Sequence, residues 1–148
     1  MTEPLRLTFD VACSVEHAFA VWTSDLGSWW PADHTVSGAP DLVVLETGPG
    51  GRIFERTAGG VEHDWGEVTV WEPPNRLGYL WHLRRDRSDA TEVEVRFVPT
   101  GDIATRVEIE HRSWERLGAD GPDWRNRNQA GWETLLPHYV AALKGVPR

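Results

Sequence analysis

Apolar and polar residues alternate along Leu5–Val11 (LRLTFDV), so this stretch reads as a half-buried strand. The spacing then changes. Val15, Ala18, Phe19 and Trp22 recur at three and four residues, which predicts an amphipathic helix over 15–23, with Ser14 in the N-cap position. His17 stands where a capping box would have Glu, so the box is incomplete. One more helical turn is expected over 25–30, ended by Pro31. Strand patterns follow at 41–45, 52–56 and 61–71, separated by the glycine turns GPGG (48–51) and AGG (58–60). Beyond Pro73-Pro74, Leu77, Tyr79, Trp81 and Leu83 alternate with Gly78, Leu80 and His82. Val93, Val95 and Phe97 alternate with charged residues, and so do Thr105, Val107 and Ile109. Short turns between consecutive strands predict an antiparallel meander with one apolar face and one wet face. The polar stretch 113–123 reads as a loop. The last segment, 126–143, carries Asn128, Trp132, Leu135, Leu136, Tyr139 and Leu143 on one helical stripe. Pro137 should bend that helix. Gly131 lowers its propensity, and a close approach of helix to sheet is the expected reason.

Helices are segregated from strands, so the class is α+β. With no linker or repeat, the chain reads as a single domain, 1–148. A strongly curved antiparallel sheet of about six or seven strands wrapped around the C-terminal helix lets both apolar faces meet.

Composition narrows the function. A formal charge of -8 disfavours a nucleic-acid backbone or an anionic lipid surface as partner. The arginines at 84, 85 and 87 sit beside Asp86 and Asp89 and suit a solvated hairpin turn. No run approaches the ~18 apolar residues of a membrane span, and the N-terminus has no secretory pattern, so a cytoplasmic protein is expected. The single cysteine, Cys13, allows no internal disulfide and reads as structural rather than nucleophilic, although His17 lies four residues on. The histidines lack metal-ligand spacing and the glycine run lacks phosphate-loop spacing, so no metal or cofactor is implied. Nine tryptophans are the departure from the ordinary: a small domain with so many large rings either fills its core with them or lines a cavity.

The segments SVEHAFAVWT, GPGGRIFE, WGEVTVWEPPNRLGYLW and NQAGWETLLPHYVAAL resemble the SRPBCC, or START-like, superfamily, in the branch of the activator of heat-shock-protein-90 ATPase homologues. The specific pieces are the G-x-V-x-x-x-x-P-P-x-R-L-x-Y-x-W run from Gly66 to Trp81 and G-W-x-x-x-L from Gly131. The resemblance spans Leu5 to Leu143 and implies a helix-grip fold with an apolar cavity between sheet and helix. It implies binding of a small hydrophobic molecule such as a lipid, sterol or polyketide. A cyclase-, isomerase- or hydrolase-type enzyme and a chaperone-ATPase-activating interaction module are the alternatives. The eukaryotic activator carries a further N-terminal domain, so the chaperone role is not carried over.

Strand alternation and the resemblance together nominate the cavity residues. Tyr79, Trp81, Phe97 and His111 fall on the inward sets of the late strands. The resemblance places Ile53 inward, and Glu55 follows two residues on. Strand 61–71 is ambiguous: Trp65, Glu67, Thr69 and Trp71 form one face, Gly66, Val68 and Val70 the other. The first is favoured and would bring His63 with it, while His82 falls on the outer face. Trp29 and Trp30 diverge by roughly 100° on a helical turn, so one packs inward and the other covers the rim, with His34 at the mouth. Trp132 presents the helix side. Buried Glu55, Glu67 and His111 need partners, and a carboxylate–imidazole pair would satisfy them and supply acid–base chemistry. An exposed edge at 5–11 leaves room for a homodimer.

Overall fold

The computed structural model describes residues 2–83 and 86–145. Arg84 and Arg85, two of the three arginines assigned to the charged turn, lie outside the described residues. Seven strands form one antiparallel sheet: β1 (Leu5–Val11), β2 (Leu42–Leu45), β3 (Arg52–Arg56), β4 (Glu62–Glu72), β5 (Arg76–Trp81), β6 (Thr91–Gly101) and β7 (Ala104–Arg112). Their order across the sheet is β1-β7-β6-β5-β4-β3-β2, so the chain runs as a meander from β2 to β7 and the first strand adds beside the last. Helix α1 (Val15–Trp22) and the long α2 (Gly121–Gly145) pack on the concave side. This is the α+β helix-grip fold. Short 3-10 turns occupy Leu26–Ser28 and Ala32–His34, so the region after α1 is a pair of tight turns.

Local sequence explains these elements. Ser14 caps α1 by accepting a bond from the His17 amide at 3.2 Å. Val15, Ala18, Phe19 and Trp22 form its buried stripe. In α2 the buried stripe is Trp132, Leu135, Tyr139 and Leu143. Pro137 lies on the exposed side of α2, where the carbonyl left without an amide partner can be hydrated, and the helix continues through it.

The stretch 113–123 is not the expected loop. It forms a 3-10 turn over Trp114–Asp120, and α2 begins at Gly121 rather than near 126. Trp114 and Leu117, isolated among polar residues, are its buried contacts. Ser113 turns the corner at φ 74°, held by its hydroxyl donating to Glu92.

Strand β4 does not obey either simple alternation. Ile53 pairs with Gly66 but Phe54 with Asp64, so Trp65 is an extra residue against β3. A second irregularity at Thr69 lies against β5. Each bulge shifts the side-chain phase by one. Trp65, Val68 and Trp71 therefore all turn toward the core, and Glu67 turns away. Gly66 sits at the first bulge because a Cβ there would lie 2.0 Å from the Leu80 carbonyl oxygen.

The centre of the grip is solid. Trp22 stacks on Trp132 with centroids 5.9 Å apart and meets Tyr139 edge-on at 4.9 Å and Trp29 at 5.7 Å. Buried ring pairs of this kind contribute roughly 0.5–1.5 kcal/mol each beyond the area they bury. The Tyr139 hydroxyl donates to the Ala18 carbonyl and the Trp29 indole to the Val21 carbonyl, tying α2 and the tight turns to α1. On the convex face Glu94 accepts from Arg76, Arg96 and Arg112 at 2.7, 2.8 and 3.0 Å. Burial raises the Glu94 carboxyl, but these three guanidiniums prevail and hold it down to about 2.

Candidate functional site

The hollow expected between helix and sheet lies at one end of the gap. A cleft of about 340 Å³ lies where β5 leaves the sheet, between the end of Trp81, the Trp114–Asp120 turn and the first half of α2. Helix α2 contributes one stripe, Trp124, Asn128, Gly131 and Leu135, with Trp132 beside it. Trp30, Trp81 and Trp114 supply further ring surface, and His34 with Asp33 stands at the rim. The volume is at the lower end of the ~300–1,000 Å³ typical of small-molecule sites.

Gly131 does not bring α2 close to the sheet. A Cβ at this position would meet no heavy atom within 4 Å, so the glycine leaves the cleft open instead.

Most hydrogen-bonding groups in the cleft wall are already engaged. The Trp114 indole donates to the His111 carbonyl at 2.9 Å, and the Trp132 indole to His111 Nδ1 at 3.2 Å. His111 Nε2 is 2.7 Å from the Thr91 hydroxyl, which is also 3.3 Å from the Trp81 carbonyl. Because Nδ1 accepts, Nε2 carries the proton and donates to Thr91. His111 is thus a neutral strut behind the wall, and burial lowers its pKa to about 3. The Trp30 indole donates to the His34 carbonyl at 2.9 Å, which sets the rim.

His82 differs. Alternation puts it outside, yet it is buried, because the chain leaves the sheet after Trp81 and strand parity no longer applies. Its amide still donates to the Trp65 carbonyl at 2.7 Å, and the residue is among those that line the cleft. Nδ1 of His82 is buried with no hydrogen-bond partner among the described residues. An unsatisfied buried polar atom costs about 1–3 kcal/mol.

The nominated residues separate into three groups. Trp30, His34, Trp81 and Trp132 line the cleft. Trp29, Ile53, Trp65, Tyr79 and Phe97 are core; Trp29 turns inward and Trp30 outward to the cleft, although the expected helical turn ends at Ser28 and holds neither. The third group is polar and its outcome corrects the sequence reading.

Glu55 is buried but does not pair with His111. Its carboxylate accepts from the Val36 and Ser37 amides, the Ser37 hydroxyl and, at 2.8 Å, the Trp65 indole. Burial raises this carboxyl, and the four donors outweigh burial and hold it below the ordinary carboxylate value. Glu55 therefore latches the 31–38 segment, which carries the rim, onto β3. Glu67 lies on the outer face in an ion pair with Arg87 at 2.6 Å, because the bulge at Trp65 reverses the phase. His63 is half-buried opposite Glu55. Cys13 is half-buried, with its carbonyl accepting from Thr105 and burial raising its thiol. Among the described residues neither Glu55 nor Glu67 pairs with His111, so the acid–base device expected of these three is not present in this arrangement. Of the cleft residues that alternation missed, His82, Thr91 and Trp114 lie at strand ends or in the misread stretch 113–123, and Trp124 lies in the first turn of α2, ahead of the expected helix start at 126.

A second, broader depression of about 690 Å³ runs between β1 and α2, over Leu7, Phe9, Leu136 and Val140. It is shallow.

The model of the family described as Activator of Hsp90 ATPase homolog 1-like protein matches residues 12–144. No curated protein matches significantly. Among solved structures, an anthrahydroquino-gamma-pyrone synthase, Txn09, complexed with SUM is 35% identical, with 82% of this chain and 84% of that one covered at a TM-score of 0.59. The self-sacrificing resistance protein CalC from Micromonospora echinospora is 27% identical, over 98% and 97% of the two chains, with a TM-score of 0.71. An HSP90 activator from Plasmodium falciparum is 19% identical over 99% of each chain, TM-score 0.69, a likeness that shows the fold alone.

Proposed function

The chain belongs to the family of Activator of Hsp90 ATPase homolog 1-like proteins, and we propose that it binds a small, flat, mainly apolar molecule in the cleft beside Gly131. The observation that carries this reading is the hollow itself, walled by tryptophan faces at the one end of the grip that the core leaves unfilled. Large rings give contact area at little conformational cost, and flat ligands fit between them. The 35% identity to a synthase whose name specifies a fused-ring product supports the same ligand shape.

Gly131→Leu is the test. Position 131 has open space and lies inside a helix, so leucine fills the cleft, and its helix propensity exceeds that of glycine by about 1 kcal/mol. The variant should melt no lower than the wild type. In a fluorescence titration with sterols, fatty acids and polycyclic phenols, the wild type should show saturable change with at least one class and Gly131→Leu at least tenfold weaker binding. No saturable change with any of them, or equal binding by the variant, rejects the reading.

A second reading, turnover of the bound molecule, draws on the synthase likeness. His82 and the His34–Asp33 pair are then the groups placed to move a proton. The chaperone-activator reading has the fold alone behind it.

A further inference from the structure

We infer that β1 is a docking strand for a second copy of this chain, pairing with β1 of that copy about a two-fold axis through Thr8. The strand order gives β1 a neighbour on one side only, β7. On the free side of an edge strand alternate residues direct their amides and carbonyls outward, and an identical strand can satisfy them. This edge also opens onto the apolar groove between β1 and α2, where Leu7 and Phe9 of the strand and Leu136 and Val140 of the helix are only half-buried.

The residues of β1 select the occupant. A two-fold interface must be complementary to itself. Laid antiparallel on itself about Thr8, LRLTFDV sets Arg6 opposite Asp10, Leu7 opposite Phe9 and Leu5 opposite Val11, each twice. Every charge then meets its opposite, and every apolar residue meets another. A shift of one residue puts Arg6 opposite Phe9 or Val11 and turns the apolar face of the second copy to the wet side. Centring on Leu7 or Phe9 instead leaves both charges without an opposite.

Strand β7 extends the match. On the convex face Arg6 pairs with Glu110 at 3.3 Å and Asp10 with Arg106 at 3.8 Å. Docking lengthens each pair into a row that alternates in sign: Glu110 and Arg6 of one copy, then Asp10 and Arg106 of the second. Like charges along a free edge repel a second copy, whereas β1 carries one charge of each sign. Helix α2 follows the same rule. Phe9 meets Tyr139 edge-on with centroids 6.2 Å apart, so the middle of the helix stands beside the middle of the strand. Along the groove Glu133 and Lys144 lie about three turns apart, on either side of Leu136 and Val140. The two-fold sets the acidic end of this stripe toward the basic end of its counterpart.

Sedimentation of the full chain from about 1 to about 100 µM should show a dimer that grows with concentration. Arg6→Asp and Asp10→Arg each set like charges opposite one another twice in the self-paired dimer, and each should weaken it at least tenfold. Mixed together, the two variants regain opposite charges at every cross-strand site, so the mixture should associate at least tenfold more tightly than either variant alone. A variant that merely misfolds cannot be rescued by mixing. Hydrogen exchange needs no variant: as concentration rises it should slow at alternate β1 amides and not at β2, the opposite edge of the sheet. A chain that stays monomeric over this range, or a dimer that neither variant weakens, overturns the docking strand. Weakening by both variants without rescue on mixing overturns the register, and the proposal with it. A monomer whose Leu7, Phe9 and Val140 signals respond to 2-naphthol overturns it as well and makes the groove a small-molecule site.

Discussion

His111 is wholly buried, accepts from Trp132 and donates to Thr91, and burial lowers its pKa to about 3. In an unfolded chain the same imidazole titrates near 6.5. Between these values the unfolded state binds a proton that the folded state refuses, so stability falls as pH drops below about 6.5 and goes on falling toward 3. Over pH 6.5 to 5 the loss from this group is about 2 kcal/mol. Chemical denaturation at pH 7 and pH 5 should show that decrement in the wild type and little of it in His111→Gln, whose amide keeps one donor and one acceptor. An equal decrement in both would show that His111 is not what makes the fold acid-sensitive. The inward orientation of His111 was legible, since it continues the run Thr105, Val107, Ile109. Its role was not, because its partners are Thr91 and Trp132, 20 and 21 residues away, and no pattern along the chain joins them. His82 was misread for a related reason. Period-two reasoning holds only while the strand continues, and β5 stops one residue earlier.

Elements with a sustained period were readable: α1, β3, β6 and β7 lie within a few residues of where their patterns place them. Elements set by one or two local events were not. The bulges at Trp65 and Thr69 leave the composition of β4 unchanged while reversing which residues face inward, and the one at Trp65 turned Glu67 to the convex side. The turn at 114–120 depends on two apolar residues in a polar stretch, too few to set a period. The segment 31–38 has no ladder of its own and is held by Glu55 through the Val36 and Ser37 amides and the Ser37 hydroxyl. Glu55→Ala strips these donors and the Trp65 indole of their acceptor. It should lower unfolding free energy by about 2–4 kcal/mol. The same change should speed hydrogen exchange at the Val36 and Ser37 amides far more than at β7. Native-like exchange at those amides would mean that Glu55 does not secure the rim.

At the scale of the molecule, the sequence specifies a grip whose middle is closed by Trp22, Trp29, Trp132 and Tyr139 and whose end near Trp81 stays open. The abundance of tryptophan predicted either a full core or a lined cavity, and the fold contains both, partitioned along its length. Composition could not assign each ring, because that depends on where β5 ends and where α2 begins. No described helix is long and apolar enough to cross a membrane. The ring partition also supplies the probe. Nine indole N–H groups report separately in a proton–nitrogen correlation spectrum, and Trp81, Trp114, Trp124 and Trp132 border the cleft whereas Trp71 packs against Phe19 at another part of the core. Titrating labelled protein with 2-naphthol should move the indole signals of Trp81 and Trp124 and the Gly131 amide saturably, with Trp71 unmoved. A spectrum that does not change, or one whose changes gather at Leu7, Phe9 and Val140 in the groove between β1 and α2, would contradict the cleft as the binding site.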